Sequence, residues 1–510
     1  MAKLPHQLLA QALGRASKVS QQGIVYTKDL SVFDRKRLEK GGWLTRIIRG
    51  WYLLNKPTGA IGDTTPWYSS FWNFIALYLR VRFKDKYCLS ANESLSLHLG
   101  NTLIPKQLLV MVKKGGSSVV PLLFDTSLLI YQENKTFPEK MEKIQGINVM
   151  PLASALYRSP PRFFQQQPEE AEIALKLVDL NTLSLELLSG NNLASAERII
   201  GAYQFLRENE RAQQLSLSLN SAGYQINPVN PFLIQKPLLS PQRLLSPYAA
   251  RIKIMWQKMR TDVLVLFPKS PGSVKISTKY FSRLEKIYLH DAYNSLSIEG
   301  YQVSEKLIAQ IAEGRWDPEN ALDDKNERNA MAAKGYYEAF NRVKRSIKRI
   351  FEGGNAGIVV KQDLPIWYAA LFSPSVQAGI LKPQHLAGYR TEQVYIRNSM
   401  HTPLPKTALV DAMDTLFDCL IEEPEAAVRA VLGHFIFVFI HPYMDGNGRI
   451  GRFMMNALLA SGGFPWTIVH VAHRKSYFHA LEKASTEQDI KPFARFILRE
   501  LKDTKNLELG

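Results

Sequence analysis

The spacing of apolar positions changes character along the chain, and each change predicts a different kind of element. Over residues 4–13 the apolar positions fall on one side of a helix. Thr27 is placed to cap a short second helix running through Phe33, and residues 34–40 predict a third, ended by Gly41 and Gly42. Residues 43–54, rich in Trp, Ile, Tyr and Leu, predict a β-hairpin turning near Arg49-Gly50. Further on, 87–99 reads as a strand entering a helix, 108–112 and 128–131 alternate like strands, and 169–187 and 194–207 read as helices. The aromatic cluster at 67–79 fits a core or an interface. Pro228, Pro231, Pro237, Pro241 and Pro247, with few charges between them, mark the main boundary. Beyond it the pattern is almost wholly helical, broken by a loop over 268–272 and 274–276. A helix is predicted to end at Gly300, and a long one over 326–349 carries Tyr336 and Tyr337 on its apolar side. The apolar run 431–440 and the helix-spaced 453–460 predict two helices joined by the tight turn between them.

Length changes this picture first: 510 residues exceed one ordinary domain, so several cores are expected. At 46% hydrophobic and 22% charged, the composition is that of a globular protein. Cys88 and Cys419 are too few for a disulfide framework, which implies a reducing, cytoplasmic setting. The opening residues lack the apolar core of a signal peptide, and the longest apolar run is short of a bilayer span, so no membrane role is expected. Net charge is +18, and it is unevenly spread: residues 1–60 hold eleven Lys or Arg against three acids. A basic surplus on a small unit points to a polyanion. Three helices and a hairpin are the order of a winged helix, whose third helix, with Arg35, Lys36 and Arg37, would enter a major groove while Arg46 and Arg49 on the wing meet phosphates. Double-stranded DNA is therefore an expected partner.

The densest chemistry lies in His441-Pro-Tyr-Met-Asp445-Gly446-Asn447-Gly448-Arg449-Ile-Gly451-Arg452. Gly446 and Gly448 allow positive φ and close approach of a ligand to the backbone. Successive amides opening into a helix N-terminus make a nest for an anion. Arg449 and Arg452, three apart, project from one face of the first helical turn, and arginine suits phosphate oxygens held in a plane. Asp445 offers hard oxygen for Mg²⁺ beside phosphates, and His441 accepts a proton near neutrality. A glycine-rich turn alone is usually only a turn; here several distinct requirements coincide in one short window.

These residues match the signature of the Fic family, H-P-F-x-[D/E]-G-N-G-R-x-x-R, with Tyr443 in place of the usual Phe. The resemblance implies that His441 deprotonates a target hydroxyl and that Asp445 holds Mg²⁺ between nucleotide phosphates. It further implies that Gly446, Asn447, Gly448, Arg449 and Arg452 cage the phosphates of ATP. The reaction it implies is AMP transfer from ATP to a Ser, Thr or Tyr hydroxyl of a protein. Upstream, Ser295-x-x-x-Glu299-Gly300 is similar to the family's inhibitory motif, in which Glu299 would pair with Arg452 and hold ATP unproductively. Residues 388–397 and 401–405 resemble the family's β-hairpin flap, where Val394 would line the nucleotide site and an edge would pair with target backbone. Arg397 stands where glycine is usual. Tyr477 occupies the position that meets adenine in relatives. The N-terminal stretch is similar to the winged helix, and 59–230 to the α+β body, of abortive-infection-type antitoxins.

The expected architecture is thus multi-domain. A winged helix over 1–58 and an α+β region over 59–230 precede a linker and helical lead-in over 231–277. An all-α Fic fold with a β-hairpin flap follows over 278–500, then a tail over 501–510. The expected function is an autoinhibited protein adenylyltransferase using ATP and Mg²⁺. Two alternatives stay open: a DNA-binding regulator whose Fic domain senses nucleotide, and an enzyme that also removes AMP. Homodimer formation is left open as well.

Overall fold

The computed structural model describes residues 5–57, 63–190, 192–234, 236–238, 246–272, 278–316, 324–386 and 388–507. The chain divides into two compact units: residues 1–247 with 395–402, and residues 248–394 with 403–510. Pro241 and residues 274–276, used above to mark a boundary and a loop, lie outside the described residues.

The first unit opens with α1 (Pro5–Val19), β1 (Ile24–Tyr26), α2 (Val32–Lys40) and the hairpin β2 (Leu44–Ile48) and β3 (Trp51–Leu54). The three strands form one antiparallel sheet in the order β1-β3-β2. The expected second helix does not form: Thr27 begins only a 3-10 turn ending at Asp29. Ser31 accepts from the Asp34 N–H and starts α2 there, so Phe33 shares a helix with the basic run. Leu38 and Asp34 face inward, and Asp34 receives two hydrogen bonds from Arg15 (2.8 and 2.7 Å) while Arg37 lies 3.8 Å away. The Arg15 hydrogen bond holds the Asp34 carboxyl below its usual range, outweighing burial. Arg35 and Arg37 are accordingly half-buried flanks; Phe33, Lys36 and Lys40 are the exposed face of α2, and Arg46 and Arg49 are exposed on the hairpin.

A helix, α3 (Thr65–Phe83), carries the aromatic cluster into the core. Trp67, Phe71 and Phe74 are fully buried, and Trp51 of the hairpin meets Phe74 and Tyr78 edge-on at 5.8 and 6.0 Å. The hairpin and the α+β body therefore share one core across residue 58. Strands β4 (Tyr87–Leu89), β5 (Gln107–Val112), β6 (Ser118–Pro121) and β7 (Ser127–Gln132) make a sheet ordered β4-β5-β7-β6, with only β5 and β7 parallel. After β4 comes α4 (Ala91–His98), capped by Ser90. A small hairpin, β8 (Glu142–Ile144) and β9 (Ile147–Val149), leads to α5 (Leu152–Arg158), α6 (Pro161–Gln166) and α7 (Pro168–Leu177). These are followed by α8 (Leu180–Ser189), α9 (Leu193–Phe205) and α10 (Asn209–Ser221). The single helix expected over 169–187 is two, because Asp179 caps a new one through the Thr182 N–H at 2.9 Å.

The second unit is helical: α11 (Pro247–Leu266), α12 (Thr278–Ile298), α13 (Glu305–Ala312), α14 (Asp324–Phe351), α15 (Ala356–Gln377), α16 (Leu409–Glu422), α17 (Ala426–Ile440), α18 (Asn447–Ala460), α19 (Arg474–Thr486) and α20 (Lys491–Leu507). Helix α17 is apolar nearly all round, the mark of a core helix, and all but two of its fifteen residues are buried. Tyr336 of α14 is buried as expected. Helix α20 runs through the boundary expected at 500.

The β-hairpin expected over 388–405 is not found: among its described residues the sole β contact is an isolated bridge, His401 to Leu103. Two prolines, Pro403 and Pro405, lack the N–H a ladder needs, and Asn398 turns the chain at φ +58°. The segment 395–402 is instead held within the first unit. Ile104 N–H donates to the Met400 carbonyl (3.1 Å), Thr402 N–H to Thr102 (2.9 Å) and Asn398 N–H to the Thr65 hydroxyl (2.9 Å). Arg397, where glycine is usual, lies 3.7 Å from Asp63.

Candidate active site

Helix α17 ends at His441, which takes left-handed geometry (φ +55°, ψ 60°) and so turns the chain sharply toward α18. Its Nδ1 lies 3.2 Å from the Val438 carbonyl. A carbonyl only accepts, so Nδ1 carries the proton and Nε2 keeps its lone pair. Burial pulls the His441 pKa down to about 4, against the Val438 bond and the charges of Glu299 and Asp445, which push it up. The ring is thus a neutral base at pH 7. Arg390 fixes the same turn from the side: its Nε donates to the His441 carbonyl (2.8 Å), its N–H to Pro442 (2.8 Å), and its guanidinium to Leu404.

The turn closes on Gly446, whose φ of +82° permits the left-handed start of α18. Asn447 holds it shut: its Oδ1 accepts from the Tyr443 N–H (3.0 Å) and its Nδ2 donates to the Tyr443 carbonyl (2.8 Å). The buried Asn447 side chain thus braces the turn, with one bond at each end of its amide. Tyr443 itself stacks on Tyr368 at 3.8 Å, a packing role consistent with an aromatic at that place.

Glu299, just past the end of α12, sits against Gly448 at the start of α18. A Cβ placed on Gly448 would lie 2.2 Å from Glu299 Oε1, so only glycine leaves room for a carboxylate oxygen there. The same oxygen accepts from Arg452 Nη2 at 2.8 Å, and Arg452 also binds the Ser295 hydroxyl (2.9 Å) and carbonyl (3.1 Å). Helix α12 ends here because Gly300 turns at φ +88° while Tyr301 N–H reaches back to the Leu296 carbonyl. Burial alone would lower the pKa of Arg452; the Glu299 charge raises it above its ordinary value. An oxyanion therefore already occupies the cradle, and it belongs to the chain.

Arg449 is 1% exposed and lies between the Tyr301 and Phe372 rings, 5.0 Å from each. Its Nη2 is 3.3 Å from Asp445 Oδ2. Arg449 Nε and Arg452 Nη1 have no hydrogen-bond partner among the described residues. Buried, unmet donors on two cations are costly unless an anion completes them. A cleft of about 390 Å³ opens beside them, lined by Glu299, Tyr301, Gln302, Arg328, Asn329 and Asp445. The Asp445 carboxylate is half-exposed at its edge, free to meet a divalent ion on its outer side.

Tyr477 is placed otherwise than expected. It is 1% exposed in the core, its hydroxyl 2.8 Å from His434 Nε2, and burial raises its pKa to about 12. It has no open face for a base. Val394 is half-exposed, its carbonyl taken by Gln393 Nε2 at 3.2 Å. Sequence reasoning missed Tyr301, Phe372, Arg328 and Arg390 as parts of the site. Each is remote in sequence from the turn, and no local spacing ties them to it.

Residues 367–459 match the Fic/DOC family model, a span that includes the whole turn and excludes Glu299 and Tyr477. The protein adenylyltransferase Fic of Nematostella vectensis is 29% identical over 301 residues, covering 58% of this chain and 64% of that protein. The protein of the same name from Aedes aegypti is 30% identical over 233 residues, 44% of this chain and 43% of that one. This chain therefore spans less than two thirds of these relatives. A solved structure of Fic-1 from C. elegans is similar over 70% of this chain and 96% of that chain, at 19% identity and a TM-score of 0.38. No helix among the described residues is long and apolar enough to cross a membrane. The turn from His441 to Arg452 and the helices around it belong to a Fic domain.

Proposed function

We propose that this chain is a protein adenylyltransferase, moving AMP from ATP to a hydroxyl of a target protein, and that Glu299 restrains it. The observation carrying this reading is the Glu299 carboxylate lodged on the Gly448 face and paired with Arg452. An acceptor oxygen there marks where a phosphate oxygen would bind once the plug withdraws.

Neutral His441, with Nε2 as its free acceptor, takes the proton from the target hydroxyl as that oxygen attacks the α-phosphorus of ATP. The new O–P bond forms as the bond to pyrophosphate breaks, and pyrophosphate departs. The amides of Gly446 and Gly448 and the guanidinium groups of Arg449 and Arg452 offset the charge that gathers on the phosphate oxygens. Asp445 would hold a Mg²⁺ ion, which when bound neutralises phosphate charge. While Glu299 pairs with Arg452, that guanidinium cannot grip the terminal phosphate, and the α-phosphorus is not presented in line. Incubating the Glu299→Gly form with ATP labelled at the α-phosphate tests this reading; protein-bound label well above wild type supports it, and an unchanged level with ATP still bound refutes the restraint.

A second activity rests on the exposed Lys36, Arg46 and Arg49, carried by a helix and a hairpin in winged-helix order. In this reading α2 enters a major groove, the hairpin meets phosphates, and the chain binds double-stranded DNA. A gel shift on the promoter upstream of its own coding sequence, with and without ATP, tests it.

A further inference from the structure

A second cluster of ligand-type side chains lies away from the phosphate cradle. His470 caps the start of a 3-10 turn, Val471–His473, and His473 is its last residue; side chains three apart eclipse in such a turn, so both imidazoles leave it on the same side. Facing them is Glu500 of α20, with no exposed side-chain surface. Its Oε2 lies 2.7 Å from His470 Nδ1 and its Oε1 2.6 Å from His473 Nδ1, and the three donor atoms fall within 4.8 Å of one another. The two rings keep 22% and 36% of their side-chain surface in solvent, so the cluster has one closed, anionic side and one open side.

We propose that His470, His473 and Glu500 form a binding site for a divalent transition-metal ion of the zinc class. Two nitrogens and one carboxylate oxygen suit zinc, whereas magnesium and calcium prefer oxygen alone. A tetrahedral ion with bonds of about 2.0–2.1 Å holds its donors about 3.4 Å apart, so the widest pair here closes by at most about 1.4 Å. Water takes the fourth position on the open side. Each neutral imidazole moves its proton from Nδ1 to Nε2, and an imidazolium releases one proton to solvent. Burial pushes the Glu500 carboxyl up, but the hydrogen bonds from His470 and His473 hold it below its ordinary range, so the carboxylate is ionised and ready. Arg499, 3.3 Å from Oε1 and half-exposed, competes for this carboxylate, and it can swing to water.

The location gives the site a consequence. Val471 N–H donates to Asn294 Oδ1 (2.8 Å) and Arg474 Nε to the Ile298 carbonyl (2.8 Å), so the turn bearing both histidines seats the last turns of α12. An ion there would stiffen the seat of Ser295 and Glu299; this consequence rests on the reading of Glu299 as a restraint, while the ion site does not.

The test uses the full chain, free of any histidine tag and stripped by chelator, titrated with Zn²⁺ by calorimetry and with Co²⁺ by absorption. The expected result is one ion per chain with the intense ligand-field band of tetrahedral Co²⁺. His470→Asn and His473→Gln should each weaken binding by about tenfold or more, with unchanged far-ultraviolet dichroism, while Asp445→Ala leaves it as in wild type. Absence of stoichiometric Zn²⁺ binding, an octahedral Co²⁺ spectrum, or both histidine variants binding like wild type would overturn the proposal. All three readouts are independent of AMP transfer, so they stand or fall separately from the enzymatic reading.

Discussion

Two regions of this protein are rich in positive charge, and they hold it in opposite ways. Around the turn after His441, Arg449 and Arg452 are 1% and 4% exposed, clamped by rings, Ser295 and Glu299, with Arg449 Nε and Arg452 Nη1 among the donors still unmet by the described residues. In the N-terminal unit Lys36, Arg46 and Arg49 stand in solvent, and the half-exposed Arg15 pairs with the buried Asp34 to tie α1 to α2. A buried cation with unmet donors defines the place and shape of its ligand, because the cost of leaving it incomplete is large. An exposed cation defines only the sign of its partner, and salt screens it. The first arrangement specifies chemistry; the second biases an encounter.

Several changes break or sharpen this contrast. The largest effect belongs to His441→Ala in a Glu299→Gly background: loss of a general base lowers the labelling rate by about 10²–10⁴-fold, with ATP affinity held. Next is Glu299→Gly itself. Its hydrogen bond to Arg452 joins two charged groups, worth roughly 1.5–3 kcal/mol, so apparent ATP affinity should rise by about ten- to hundredfold by calorimetry. The pH profile follows. The base works when neutral, so with its pKa near 4 the labelling rate of the Glu299→Gly form should stay level from pH 8 to about 5 and fall only below that. An imidazole at its ordinary pKa would begin to fail near 6.5 instead. Asn447→Ala removes two hydrogen bonds that close the turn and should lower stability by about 1–3 kcal/mol, read as a fall in Tm. The smallest effect lies at the other region: Lys36→Ala or Arg49→Ala should each reduce the salt slope of DNA binding by about one, without altering its sequence preference.

What could be read from the sequence follows the same division. The twelve residues from His441 to Arg452 are contiguous, so turn, helix start and charge spacing were legible together. Ser295 and Glu299 were legible only through their likeness to the family's inhibitory motif, and both meet Arg452. The partners that shape the site were not. Tyr301 and Phe372 sandwich Arg449 from two separate helical neighbourhoods, and only tertiary packing brings them together. Tyr477 kept the expected position along the chain, yet its ring turned inward to His434, because an apolar helix face rewards burial and says nothing of a ligand. Asn447 lies in the signature, but the sequence does not reveal that its amide is used by Tyr443. In the stretch 388–405 the resemblance to the family's flap suggested a hairpin; Pro403, Pro405 and the turn at Asn398 prevented it. At the N-terminus the first helix and the hairpin were legible, but the expected second helix shrank to a 3-10 turn at Thr27, Ser31 capped one helix in place of two, and the strand Ile24–Tyr26 was not foreseen.

The central claim is that the cradle closed by Glu299 exists to present the α-phosphate of ATP to a hydroxyl activated by His441. Parallel incubations of the Glu299→Gly form with ATP labelled at the α-phosphate and at the γ-phosphate test it most directly. The account predicts protein-bound label from the α position alone, lost in the additional His441→Ala variant. Label carried from the γ position, or α-label that survives loss of His441, would contradict it.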